Sequence, residues 1–270
     1  MLTFLYKTVF GRVILKFLTL PIISRIAGKF LDSPLSAFLI GPFLKNNRIN
    51  CEEYILNDMH CFNDCFSRHI KPGRRPVDQR RHILVSPCDG FLSVYRLKKG
   101  MIIPIKSSCY SVFDLLNNAE LAHEFEDGLC MVFRLCVDNY HRYIYPDSGT
   151  KGADVPISGI LHTVRPVALR EVPVFTENSR EYTVLHTENF GDVIQMEVGA
   201  MLVGRIENHP NISSFKRGDE KGCFKYGGST IILLFKKDVV EVNPKLLRLT
   251  EKSMEYPVKM GMGVGRKNKY

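Results

Sequence analysis

The sequence has 270 residues, 45% hydrophobic and 24% charged, enough apolar material for one large core or a core with an appendage, which excludes a disordered or fibrous chain. Its 37 lysines and arginines against 28 aspartates and glutamates leave a formal charge of +9, so acidic partners such as an anionic membrane or a nucleic acid are favoured over neutral ones. Eight cysteines, Cys51, Cys61, Cys65, Cys88, Cys109, Cys130, Cys136 and Cys223, lack the paired spacing of a zinc site, and several fall in apolar runs, which reads as reduced thiols in a cytosolic setting with no metal centre.

In chain order, residues 1 to 20 place Leu2, Val9, Phe10, Val13, Phe17 and Leu20 on one side of a helix, with Thr8, Arg12, Lys16 and Thr19 largely opposite, and Pro21 is expected to end it. Lys7, Arg12 and Lys16 interrupt the run, which falls short of the ~20 apolar residues that span a bilayer and carries no signal-peptide cleavage site. A helix lying in the membrane interface is the expectation. A second apolar segment opens at Ser33-Pro34 and continues through Leu35, Phe38, Leu39, Ile40, Phe43 and Leu44. Net basicity favours anionic lipid over packing of these segments on the protein's own core.

From about residue 82 the texture changes to short β-rich runs: His82 to Val85, Phe91 to Arg96, Met101 to Ile105, Cys130 to Cys136, Ile157 to Val164, Tyr182 to Thr187, Val193 to Ile206 and Gly222 to Phe235. Ser111 to Phe125 reads as one helix. The fold class is α+β, with a mainly antiparallel β-sheet core behind N-terminal amphipathic helices.

The stretch from Lys216 to Thr230 is the most informative. Gly218, Gly222, Gly227 and Gly228 frame Ser229 just before the apolar run Ile231 to Phe235. There the backbone can bend tightly and another group can approach the Gly228 carbonyl, which suits a serine attacking its own preceding peptide bond. Two further pieces carry chemistry: Ser86-Pro87-Cys88-Asp89-Gly90, with a carboxylate at a strand junction, and Tyr140-His141-Arg142 after an apolar strand. Gly199-Ala200 with Val203-Gly204 and Ile206 is a third piece, a glycine-containing run ahead of the serine loop that similarity alone marks as a strand pair with a packing role.

Together these pieces resemble phosphatidylserine decarboxylase proenzymes, most closely in Gly-x-Glu-x-Gly-x-Phe-x-x-Gly-Gly-Ser-Thr followed by aliphatics. The resemblance runs from about Pro87 to Phe235, more loosely towards the N-terminus. It implies self-cleavage between Gly228 and Ser229, giving a β chain of residues 1–228 and an α chain of 229–270 that begins with a covalent pyruvoyl group made from Ser229. A Schiff base between that ketone and the substrate amine would then carry the decarboxylation of phosphatidylserine to phosphatidylethanolamine. It further implies that Asp89 is the acid of an Asp-His-Ser arrangement, that His141 belongs to the family's His-Arg region, and that Lys106 contacts phosphate near the substrate entrance. On this reading residues 1–50 hold the membrane helices and 51–270 the catalytic domain, at the cytoplasmic face of the membrane, with a homodimer implied by the resemblance alone.

One departure stands out. Many family members carry a second histidine three residues after the first, assigned as the base for self-cleavage, and this chain has Ile144 there. Isoleucine cannot move a proton. Either His141 serves both as base for Ser229 and as the later proton donor, or His162 supplies the missing imidazole. The competing functions are a pyruvoyl-dependent decarboxylase of a soluble amino acid and a non-catalytic lipid-binding relative. Nucleic-acid binding fits less well, because the basic residues are dispersed and no aromatic platform accompanies them.

Overall fold

The computed structural model describes residues 2–19, 21–97, 103–105, 108–164, 168, 171–200, 205–225 and 229–268. Lys106, Val203, Gly204 and Gly228 lie outside the described residues.

The core is an antiparallel sheet whose strands lie in the order Ser214–Phe215, Gly149–Ile157, Arg180–Thr187, Gly191–Val198, Ser229–Phe235, Leu129–Leu135, Gly90–Arg96 and Tyr256–Val258. The two central strands, Ser229–Phe235 and Leu129–Leu135, are almost wholly buried because both faces of the sheet are covered, which is why they read as unbroken apolar runs. Alternation sorts their side chains. Ile232 and Leu234 join a cluster with Leu5, Tyr6, Leu15, Val112, Leu115 and Phe175, under the N-terminal helices Leu2–Lys7 and Val9–Leu18 and the short helices Val112–Leu116 and Val174–Glu177. Ile231, Leu233 and Phe235 face the opposite way, against Tyr143, Phe224, Leu84, Val242 and Leu246. Each such side chain contributes about 1.5–3 kcal/mol on burial, so these strands anchor both layers.

The second layer is made of two small antiparallel sheets, Ile206–Asn208 with Glu220–Phe224 and Arg142–Ile144, and Val240–Glu241 with Gly263–Lys267 and Ile83–Val85, together with the helix Pro244–Glu251. The α+β class with a mainly antiparallel core is therefore what forms.

Several elements differ from expectation for identifiable reasons. Pro21 does not end helical structure but begins the helix Pro21–Leu31, where a missing N–H goes unused in any case. The expected helix from Ser111 to Phe125 is two short ones, Val112–Leu116 and Ala119–His123, because Asn117 adopts a left-handed φ of 50° and Asn118 caps the second. The run Ile157 to Val164 is not a strand; the strand is Gly149–Ile157, and beyond it lies only an isolated bridge from Ile160 to Asn178. The expected strand from Val193 to Ile206 divides into Gly191–Val198 in the large sheet and Ile206–Asn208 in the small one. Likewise, Gly222 to Phe235 divides into Glu220–Phe224 and Ser229–Phe235. That second division sets the position of the serine.

Candidate active site at the junction of two sheets

Ser229 opens its strand opposite Leu135, the last residue of Leu129–Leu135. On the small-sheet side of this pair, Leu135 is followed by residues 136–140, and the Phe224 N–H at the end of Glu220–Phe224 donates to the His141 carbonyl at 2.9 Å. His141 and Ser229 thus stand at the same junction. By alternation the Ser229 side chain shares the face of Ile231, the side on which the small sheet packs.

Both residues present unused polar atoms. Ser229 is 1% exposed and His141 is fully buried, and among the described residues neither Ser229 Oγ nor His141 Nε2 has a hydrogen-bond partner. His141 Nδ1 lies 2.9 Å from the Asn139 carbonyl oxygen, which can only accept, so Nδ1 carries the hydrogen and Nε2 keeps a free lone pair. Burial, reinforced by the charge of Arg68, pushes the imidazole down to about 3, against the opposing pull of the Asn139 contact and of Asp89. The ring is neutral at physiological pH. The Phe66 ring covers it, with centroids 4.0 Å apart.

Asp89 occupies the turn before Gly90–Arg96. Gly90 is required there, since a Cβ would come 2.8 Å from the Arg134 carbonyl oxygen. The turn is held by hydrogen bonds from Ile144 N to the Pro87 carbonyl and from Ser86 N to the Met262 carbonyl. The Asp89 carboxylate is buried and accepts from Arg75 Nε at 2.9 Å, Arg75 Nη2 at 2.8 Å, Met260 N at 2.9 Å and Lys259 Nζ at 3.2 Å. Burial alone would raise its pKa, but Arg75, the Met260 N–H and Lys259 together hold it below the ordinary value. The carboxylate thus acts on His141 through its field while its hydrogen bonds go to Arg75, Lys259 and Met260. Ile144 packs with Val85, Tyr140 and Met260, beside the Asp89 turn.

His162 lies elsewhere. Its Nδ1 is 3.2 Å from the Tyr6 hydroxyl, its Nε2 is 3.2 Å from Glu177, and its backbone N–H donates to Asn178. Tyr6 and Val164 belong to the cluster under the N-terminal helices, on the opposite face of the sheet from Ile231. Both ring nitrogens are therefore engaged away from the Ser229 side of the sheet. Burial lowers the His162 pKa, and Glu177 opposes this.

Four features escaped the sequence reading. Arg75 and Arg68 hold Asp89 and the Asn139 carbonyl, and Phe66 covers His141. The fourth is the fully buried pair of Lys221 and Glu197, 2.8 Å apart, with Asn208 bridging to both and Glu197 opposite Ile231 on the Ser229 face. Burial raises the Glu197 pKa while Lys221 opposes it. A glutamate and a glutamine inside the apolar strand Gly191–Val198 were the legible signal for this pair; the arginines gave none beyond a basic run before Pro76.

The phosphatidylserine decarboxylase family profile matches residues 62–266, about three quarters of the chain. The chain belongs to the phosphatidylserine decarboxylase family. It is 43% identical to phosphatidylserine decarboxylase proenzyme 2 of Clostridium acetobutylicum over 99% of this chain and 92% of the relative. It is also 42% identical to the phosphatidylserine decarboxylase proenzyme of Clostridium botulinum strain Kyoto, over 80% of this chain and 74% of that one, and 39% identical to that of Clostridium kluyveri, over 83% and 77%. The family match begins at Phe62, so it takes in the Phe66, Arg68 and Arg75 contacts as well as the serine loop.

Proposed function

We propose that the chain is a phosphatidylserine decarboxylase proenzyme that cuts itself between Gly228 and Ser229 and uses a pyruvoyl group at position 229 to release carbon dioxide from phosphatidylserine. The observation that carries this reading is the pair of buried, unpartnered atoms at one sheet junction, Ser229 Oγ and His141 Nε2. A free hydroxyl and a neutral imidazole with an open lone pair are what a serine nucleophile and its base require.

In self-cleavage His141 Nε2 takes the Ser229 proton as Oγ bonds to the Gly228 carbonyl carbon, and returns it to the departing amide nitrogen. Loss of the Ser229 Cα proton then breaks the Cβ–Oγ bond and releases the Gly228 carboxylate, and water displaces ammonia from the dehydroalanine, through its imine tautomer, to leave the pyruvoyl ketone. Asp89 supports the transient imidazolium through its charge. Position 229 suits the group, because Ser229 Oγ has no hydrogen bond among the described residues to lose when it departs with the Gly228 carboxylate, leaving Cβ as the methyl and Cα as the ketone carbon. A pyruvoyl group at position 229 would supply a ketone able to take up an amine and to act as an electron sink for decarboxylation. His141 Nε2 would relay a proton to the substrate carbon, so that one histidine would serve both tasks despite Ile144.

The N-terminal helices support a lipid substrate. Their inner stripe, Leu5, Tyr6 and Leu15, is buried, but Phe10 at 69% and Phe17 at 63% exposed form an outer apolar surface, continued by Ile26 and Phe38. Lys7, Arg12, Lys16 and Lys29 are exposed around it. No described helix is long and apolar enough to cross a membrane. Peripheral attachment to an anionic bilayer at the cytoplasmic face fits both the exposed rings and the charge.

The test is carbon dioxide release from carboxyl-labelled phosphatidylserine in vesicles, with Ser229→Ala as control and free serine as competing substrate. Release from vesicles that vanishes in Ser229→Ala supports the reading. Equal turnover of free serine would favour a soluble amino acid as substrate.

A further inference from the structure

Arg68 lies just past the helix Phe62–Phe66 and is 1% exposed, yet its guanidinium is held by backbone carbonyls and not by a carboxylate among the described residues. Nη1 donates to the carbonyls of Cys65 at 3.3 Å and Phe66 at 3.4 Å, and Nη2 to those of Asp138 at 3.2 Å and Asn139 at 3.3 Å. The guanidinium carbon sits 4.2 Å above the centre of the Tyr54 ring. Desolvating a charge this fully is expensive unless geometry repays it, and a planar fork is the side chain that can hold two separate turns at once.

One of those turns carries the base. The Asn139 carbonyl oxygen that accepts from Arg68 Nη2 also accepts from His141 Nδ1, so its two lone pairs are filled by two donors. The flanking residues reach the same junction: the Phe66 ring lies on the His141 ring, the Ser67 carbonyl accepts from Arg142 Nε at 2.7 Å, and Ser67 Oγ accepts from Lys225 Nζ at 3.2 Å. Arg142 adjoins the base, and Lys225 begins the crossing to Ser229. The segment 66–68 therefore grips both chains of the junction.

We infer that Arg68 is a positioning residue that fixes the Asn139 carbonyl, and through it holds His141 as the Nδ1–H tautomer with Nε2 open to the Ser229 proton. This rests on the self-cleavage reading above. In free imidazole side chains the two tautomers interconvert, and the hydrogen bond at one nitrogen decides which persists. Without Arg68 the 138–139 turn loses two hydrogen bonds, and the carbonyl that selects the tautomer is no longer fixed.

The experiment has two readouts on the full-length chain. The first is the nitrogen-15 spectrum of labelled histidine in Ser229→Ala, with His141 assigned by His141→Gln. The expected pattern is a protonated Nδ1 and a bare Nε2, and adding Arg68→Gln should replace it with a tautomer mixture. An Nε2–H form in Ser229→Ala with Arg68 intact overturns the inference even if the Arg68 variants fold poorly. The second is the rate at which newly translated chain splits in two. Arg68→Gln should slow it roughly 10²-fold, the effect of a misplacement of about 1 Å, and Arg68→Lys, which keeps the charge but not the fork, should fall between. A folded Arg68→Gln chain with wild-type cleavage and an unchanged His141 spectrum overturns the inference. Wild type that never splits refutes the self-cleavage reading instead, while the tautomer measurement still judges Arg68.

Discussion

Replacing Arg75 by methionine separates the structural from the chemical role of Asp89. The carboxylate is 1% and the guanidinium 6% exposed, and they share a two-pronged contact at 2.9 and 2.8 Å. Arg75→Met leaves Asp89 with the Met260 N–H and with Lys259, which is 63% exposed and screened by solvent. Breaking a buried pair from one side costs about 3–5 kcal/mol, which for a chain of this size lowers the melting temperature by roughly 6–20 °C. The pH dependence has a definite sign. In the wild type the Asp89 pKa is below its unfolded value, so its contribution is present above the ordinary carboxylate range and is lost as pH falls through the folded pKa. In Arg75→Met burial dominates and raises the pKa, so the penalty is greatest at neutral pH and shrinks as acid protonates the carboxylate. The assay is urea unfolding of Ser229→Ala with and without Arg75→Met, from about pH 7 down to about pH 4, a range that spans ordinary carboxylate titration. Adding Asp89→Leu to Arg75→Met should recover most of the loss. A cost below about 1 kcal/mol, or one that grows in acid, would refute the argument.

His141→Gln should slow chain splitting by about 10²-fold or more, whereas His162→Gln leaves the rate unchanged; the reverse result in a translation time course removes His141 as base. Because burial holds the His141 imidazole at about 3, the neutral form that accepts the proton persists, and the splitting rate should stay level from about pH 8 to about pH 5. An acid limb at the ordinary histidine value contradicts this. Each of Phe10→Ser and Phe17→Ser should weaken binding to anionic vesicles by about tenfold or more in a sedimentation assay, since each removes an exposed ring worth about 1.5–3 kcal/mol when inserted. Lys221→Met strands Glu197 in the interior and should destabilise the protein by about 3–5 kcal/mol, while the double change with Glu197→Leu costs far less; equal losses would show that the pair is not coupled.

What could be read from the sequence was what local pattern determines. The strands Leu129–Leu135 and Ser229–Phe235 announced themselves because burial on both faces demands unbroken apolar residues. The strand Gly149–Ile157 did not, because none of its residues is buried, it contains two glycines and a proline, and it is held mainly by its pairing with Arg180–Thr187. The N-terminal apolar stripe was legible as a pattern, but not its division into a buried stripe through Leu15 and an exposed one through Phe17, which depends on what the helix packs against. In the candidate site, Ser229, Asp89 and His141 carried recognisable surroundings. Arg68 and Arg75 did not, since Arg68 acts on carbonyls some 70 residues away and Arg75 on a carboxylate beyond the next strand. His162 illustrates the same limit: its sequence neighbours could not reveal that Tyr6 and Glu177 occupy its ring.

The central claim is that the Ser229 hydroxyl attacks the bond before it. Its most direct test is the intact mass of purified wild type beside Ser229→Ala. The account predicts two wild-type pieces, one ending at Gly228 and one beginning with a blocked, pyruvoyl-sized residue 229, and a single uncut chain in the mutant. A single uncut chain in both would contradict it.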